Sequence, residues 1–295
     1  MRSILLLLTL TVLLAACGSG EPGAIGESTG TGAEPAPTVA SPEPDQLYEA
    51  SGTVLEAAGE HGPELCLGAI LTSLPPQCSG VPIANWDWNA VEGEMARSGT
   101  TWGDYHVVGT YDGEFLAVTD VGPPAYPGKE DIYRYETPCP EPEGGWVVPD
   151  PGHNTQEQTR RAHAYARAQP DYVISWNDHL DDELQEFGPV VLVAVFTGDS
   201  ERHEAEIRKV WDGPLCLVAR DLPTARELAR IRKEVENRLP DLGVELLGSG
   251  TGGFPPAIFI DIVADEGGRA QAVVDDEYGP GIVRFVPALR PVQGQ

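Results

Sequence analysis

Cys17 stands where a largely apolar run, Ile4 to Leu14, gives way to a polar chain, and its thiol is the most directly readable chemistry in the sequence. The run carries a single charge before it, Arg2, and has the length of a secretory h-region rather than of a membrane span. Leu14-Ala15-Ala16-Cys17 has the form of a lipobox. Two small residues precede the cut, and the new N-terminal Cys17 would carry a diacylglycerol on sulfur. Two acyl chains attach firmly, each buried CH₂ contributing about 0.8 kcal/mol. The competing reading is an ordinary secretory signal with Ala-x-Ala-type cleavage and an incidental cysteine. No later segment has the uninterrupted apolar length of a transmembrane helix.

Four cysteines remain: Cys66, Cys78, Cys139 and Cys216. An even remainder outside the cytoplasm predicts two disulfides, and four thiols allow three pairings. The expected pairs are Cys66–Cys78, closing a short loop over Leu74-Pro75-Pro76, and Cys139–Cys216. A metal site would call for a spacing such as C-x-x-C, which is absent.

Other stretches invite chemistry and are read more plainly. GSGTGGF, residues 248–254, lacks the helix N-terminus that a phosphate cradle needs, and it reads as a hairpin loop. Ser249 has Leu247 where a nucleophile elbow needs glycine. WNDHLDDE, residues 176–183, gathers Asp178, His179, Asp181, Asp182 and Glu183 without the ordered spacing of a calcium loop, and reads as a solvated acidic turn. His203 falls in the first turn of a helix and reads as a surface or capping residue, as do His61 and His106. Trp86, Trp88 and Trp102 are read as packing in a small β-core rather than as a stacking surface. No cofactor, no metal ligand set and no catalytic residue is expected.

These residues need elements to position them. Residues 1–16 read as signal and 17–46 as a disordered tether of Gly, Ser, Thr, Pro, Ala and Glu, too poor in large apolar residues to fold. Residues 47–137 show short strand signals, with Asp112-Gly113 as a hairpin turn, and predict a small β-barrel of OB-like form. Within it only NAVEGEMARSG has a weak helical pattern, and VPIANWDW alternates as a strand would. Residues 138–188 read as a Pro/Gly linker followed by a helix, Asn154 to Gln169, with a Thr155/Gln158 capping box. Residues 189–291 alternate strands and helices. Thr224 and Glu227 form a second capping box, and Leu228, Ile231, Val235 and Leu239 line one stripe. From Leu215 onward the order β-α-β-β-α-β predicts a ferredoxin-like sheet with helices on one face, making the chain α+β overall.

The stretches VAVFTGD, ARELARIRKEV and DDEYGPGIVRF, within residues 190–286, resemble the pro-domains of α-lytic-type secreted serine proteases in element order and in the terminal Tyr278-Gly279. The resemblance implies a folding helper or inhibitor of a secreted protease. The mature chain as a whole is similar to exported lipoproteins of Gram-positive, high-GC bacteria that carry no assigned activity.

The chain carries 46 acidic against 19 basic side chains, a net charge of -27. Such a surface repels nucleic acid and anionic headgroups, which excludes a nucleic-acid role. The acids are scattered and serve solubility. The expectation is therefore a non-catalytic binding or scaffolding lipoprotein on the outer face of the cell membrane. Its contacts would be the membrane through Cys17 and a protein or peptide ligand. The alternative expectation is control of secreted proteases through the C-terminal half.

Overall fold

The computed structural model describes residues 46–59, 62–125, 135–148, 155–180 and 189–292. Its N-terminal sheet is built on two long strands. β1 (Leu47–Ala57) and β5 (Thr100–Tyr111) pair antiparallel from Leu47↔Thr110 to Ala57↔Thr100. Alternation buries one face of each around Tyr48, Val54, Tyr105 and Val107. Each long strand carries two short partners on its outer edge. β2 (Glu64–Cys66) and the last strand of the chain lie on β1. β4 (Met95–Arg97) and β6 (Leu116–Gly122) lie on β5, and β3 (Gly80–Pro82) extends β2. The β5–β6 turn is the expected one. Asp112 Oδ1 accepts from Glu114 N at 2.9 Å and Phe115 N at 2.6 Å, and Gly113 takes φ 97°.

No continuous ladder closes the strands into a barrel among the described residues; what the structure shows is a seven-stranded β-sheet. The chain just past β3 meets β6 through the parallel bridge Ile83↔Leu116, with Ala84 N donating to Leu116 O at 3.0 Å, and through Asn85, whose side chain accepts from Val118 N at 2.8 Å and donates to Val118 O at 2.7 Å. Two local expectations change. NAVEGEMARSG holds a 3-10 turn at Trp88–Ala90 and then β4 in place of a helix. The strand in VPIANWDW spans only Gly80–Pro82, and further on the Asp87 side chain takes the Asn89 N–H and caps the 3-10 turn.

The remainder runs α1 (Gln156–Ala168), β7 (Tyr172–His179), β8 (Val190–Phe196), α2 (Ser200–Ile207), β9 (Leu215–Ala219), then α3 (Ala225–Leu242), β10 (Leu246–Gly252), β11 (Ala257–Ile262), α4 (Arg269–Tyr278) and β12 (Val283–Pro287). The predicted chain order from Leu215 is present, but it does not make one ferredoxin-like sheet. β9 pairs parallel with β8, and β10-β11-β12 form a separate three-stranded sheet. The reason lies in β8, which is buried at all seven positions and demands cover on both faces and both edges. It takes β7 on one side and β9 on the other.

The two three-stranded sheets are built alike. Each follows the order α-β-β-α-β, with the first pair of strands antiparallel and the second parallel. Each opens with a complete Thr capping box, Thr155/Gln158 and Thr224/Glu227. The helix that follows buries positions four, seven and eleven past the cap, Thr159, Ala162 and Ala166 in one, Leu228, Ile231 and Val235 in the other. Each has one bulge at the start of the first strand, between Tyr172 and Ile174 and between Leu246 and Gly248. The fold thus contains a tandem repeat of one αββαβ unit, with residues 155–219 as the first copy and 224–287 as the second.

The chain then returns to the first sheet. β13 (Arg290–Pro291) pairs with Tyr48 and Glu49 of β1, and Leu289, Val263 and Ala264 join the core beneath it. No helix among the described residues is long and apolar enough to cross a membrane.

Candidate functional site

Both body disulfides are present as paired in the sequence reading. Cys66–Cys78 and Cys139–Cys216 each hold their Cα atoms 5.8 Å apart. The first packs on Leu55 and Trp102. The second ties the 135–148 segment to Cys216, which is fully buried in β9. Cys17, His61 and residues 181–183 lie outside the described residues.

The polar chemistry gathers in the first αββαβ copy, between its helices and the sheet. His203 is fully buried and makes three polar contacts. Its Nε2 donates to Asp171 Oδ2 at 3.0 Å, and its Nδ1 lies 3.1 Å from the Tyr165 hydroxyl. The Arg202 guanidinium is 3.2 Å from Nε2 and 3.9 Å from the same carboxylate oxygen. Burial works to raise the Asp171 carboxyl. The hydrogen bond from His203, with the charges of His203 and Arg202, outweighs it and holds the group below the ordinary carboxylate range. Gly198 lies beside this carboxylate, and a Cβ there would fall 2.7 Å from Asp171 Oδ2 and push it off its present position.

A second chain of hydrogen bonds runs under α1. His163 places Nδ1 2.8 Å from Ser175 Oγ and Nε2 2.9 Å from Asn177 Oδ1. The Tyr172 hydroxyl is 3.0 Å from the same serine. Burial pushes the His163 pKa down, favouring neutral imidazole. With Nε2–H given to Asn177 Oδ1, the order Tyr172→Ser175→His163→Asn177 satisfies the donors of Tyr172, Ser175 and His163. The set has the residue types of a nucleophile, a base and an orienting amide. Here the serine hydroxyl is held from two sides, by His163 and by Tyr172, between a helix and a strand. An open groove of about 320 Å³ lies elsewhere, lined by Trp146, Val147, Arg208, Asp212 and Leu215.

The second copy serves as an internal control. Its serine one residue past the bulge, Ser249, bonds Glu236 of α3 at 2.6 Å, as Ser175 bonds His163 of α1. At the first inward position of its second helix it carries Ala270, four residues before buried Val274, where the first copy has His203 four before buried Ile207. The unit therefore folds without a buried histidine there.

The remaining candidates are placed as follows. GSGTGGF is not a free loop, because residues 248–252 pair with β11 and the turn begins at Gly253, whose N–H donates to the Tyr135 hydroxyl at 3.0 Å. Asp178 sits in β7 and accepts from the Thr137 amide at 3.1 Å. Among the described residues no group of three or more His, Cys, Asp or Glu could hold a metal ion. His106 lies in β5, 3.1 Å from Ser51 Oγ and 3.6 Å from Glu49 Oε2. Trp86 and Trp88 meet edge to face at 5.5 Å and close over Tyr105, with Trp88 Nε1 donating to Glu56 Oε2 at 2.6 Å. They pack, as does Trp102.

His203 is the clear departure from the sequence reading, and His163, Ser175, Tyr165 and Asp171 were not singled out by it. One signal was available. His203, Ile207 and Trp211 recur at four-residue spacing and share the inward face. Glu201, Arg202 and Glu204 around His203 mask that pattern.

No protein-family model, curated protein or solved structure matches this chain.

Proposed function

We propose that this is a lipid-anchored protein of the outer face of the cell membrane that binds or scaffolds other envelope proteins without catalysing a reaction. The observation that carries the reading is the use of its cysteines. All four body thiols are consumed in two disulfides, which suits an oxidising compartment, and Cys17 is left over at a lipobox. The polar layer of the first αββαβ copy supports binding over catalysis. Its histidines are enclosed between helix and sheet, and they stiffen that copy rather than face a cleft.

Two measurements test the reading. Mass spectrometry of the protein from its native membrane should find a diacylglycerol on Cys17, and a free thiol there would end the anchoring proposal. Cross-linking on intact cells should give intermolecular links from the folded body to a neighbouring protein, and their absence would end the binding proposal. A second reading, restraint of a secreted protease, is favoured by a separate feature, the loop closed by Cys66 and Cys78.

A further inference from the structure

We infer that the Cys66–Cys78 loop is a docking finger whose occupant is the substrate cleft of a secreted endopeptidase. This rests on the reading that the chain binds protein outside the cytoplasm, and it names the surface and the partner class.

The finger differs from the rest of the chain in charge. From Leu65 through Trp86 there is no Asp, Glu, Lys or Arg, in a chain of net charge -27. It also exposes large apolar side chains, with Ile70 40%, Leu71 59% and Leu74 64% accessible. Core packing does not account for leucines in water, and three within five residues on one loop make a patch.

The finger is held in shape. Its base is the β2–β3 ladder, with Leu65↔Val81 and Cys66↔Gly80, and Glu64 Oε2 accepts from Gly80 N at 3.1 Å. The disulfide closes it against Leu55 and Trp102. Nearer the tip, Leu71 N donates to Gln77 O at 2.8 Å, and Ser73 Oγ donates to Pro75 O at 2.8 Å. The segment Leu71-Thr72-Ser73-Leu74 is left exposed at the end of a braced loop. A segment already ordered loses little conformational entropy when it docks.

Shape and charge then select the partner. A narrow convex loop fits a cleft better than a flat surface. Two leucines flanking Thr72-Ser73 suit a site that reads successive side chains along an exposed backbone and pairs with its main chain. A peptidase cleft is such a site, and the finger would fill it in competition with substrate. Anionic lipid is disfavoured because the body is acidic and no Lys or Arg lies in the loop. A second copy is disfavoured by repulsion between two such bodies.

The test uses the mature chain with both disulfides oxidised. It is titrated against three endopeptidases that accept leucine, of subtilisin, chymotrypsin and thermolysin type, each acting on a fluorogenic peptide. The expected result is competitive inhibition of at least one, with a constant below about 1 µM. Leu71→Asp or Leu74→Asp should weaken it about 100-fold. Their melting temperatures should match the parent, because both side chains are exposed, and Cys66→Ser/Cys78→Ser should weaken inhibition as well. Inhibition unchanged in the aspartate variants would overturn the finger while leaving protein binding in place. No inhibition of any of the three at about 10 µM would overturn the pairing with a peptidase. Cross-links on intact cells would still report separately on whether the chain binds protein. Binding to neutral phosphatidylcholine vesicles that is lost in Leu71→Asp would assign the finger to lipid and overturn the proposal too.

Discussion

His203 lies flat against Phe196, with ring centroids 3.8 Å apart and planes 13° from parallel. The stack fixes the imidazole so that Nε2 meets Asp171 and Nδ1 meets Tyr165. Two consequences for stability follow from this placement, one from the residue itself and one from the carboxylate it holds.

Replacing His203 with Ala removes a fully buried ring and leaves the Asp171 carboxylate short of a donor, where Oδ1 already lacks a hydrogen-bond partner. The expected loss is about 3 kcal/mol, from the cavity and the stranded acceptor together. Adding Asp171→Asn should recover about 1 kcal/mol of it, because the neutral amide tolerates the site better. Urea denaturation of the two single variants and the double variant reads the coupling. Additive losses would show that the two residues act independently.

Acid should weaken the fold in two steps with the same sign. His163 has a folded pKa below its unfolded value of about 6.5, so its stabilising contribution is complete above that pH and is lost as pH falls through the folded value. Asp171 is also lowered, from an unfolded value of about 3.9, so its contribution disappears further down, as pH falls toward its folded value. Melting temperature against pH should therefore decline first below about pH 6.5 and again below about pH 4. His163→Gln should flatten the first decline and Asp171→Asn the second.

The two disulfides should contribute unequally. Cys139 and Cys216 are 77 residues apart, and Cys66 and Cys78 are 12 apart. Loop-closure entropy assigns about 4.5 kcal/mol to the long closure and about 3 kcal/mol to the short one. Paired Ser substitutions followed by denaturant melts should show the larger loss for Cys139/Cys216. The difference should widen further because Cys216 is buried in β9 beside Val193 and Trp176.

Gly109 stands beside the bulge in β5, where a Cβ would meet the Ala117 carbonyl oxygen at 2.3 Å. Backbone cannot swing aside as a flexible side chain can, so Gly109→Ala should cost about 2 kcal/mol or more. Gly250→Ala, where nothing lies within 4 Å, should stay within about 0.5 kcal/mol of the parent. Thermal melts of the pair separate a steric requirement from a general effect of glycine replacement.

Local signals in the sequence were sufficient wherever a few neighbouring residues decide the outcome. The Asp112-Gly113 turn, both Thr capping boxes, the Leu228-Ile231-Val235-Leu239 stripe and both cysteine pairs stand as expected. What was hidden depends on partners distant in the chain. β9 could have joined β10 or β8 by its own pattern, and the wholly buried β8 decided it. Glycines 248, 250 and 252 look like a loop until the apolar strand β11 supplies their ladder. The polar layer was obscure for a related reason. Its members come from two helices, a strand and a turn, and His163 shows only as one polar residue on a face with Ala162 and Ala166. The tandem αββαβ repeat is visible in hydrogen bonds and hardly at all in residue identities.

β1 gives the body two poles. At one end Tyr48 and Glu49 hold the returning β13, and at the other Val54 and Leu55 hold the base of the stapled loop. Val54 lies six steps along the strand from Tyr48, a rise of roughly 20 Å. Any leash pulling on Leu47 therefore draws from the opposite pole, and mechanical load would run along the β1–β5 ladder, in shear, before it reached the leucines.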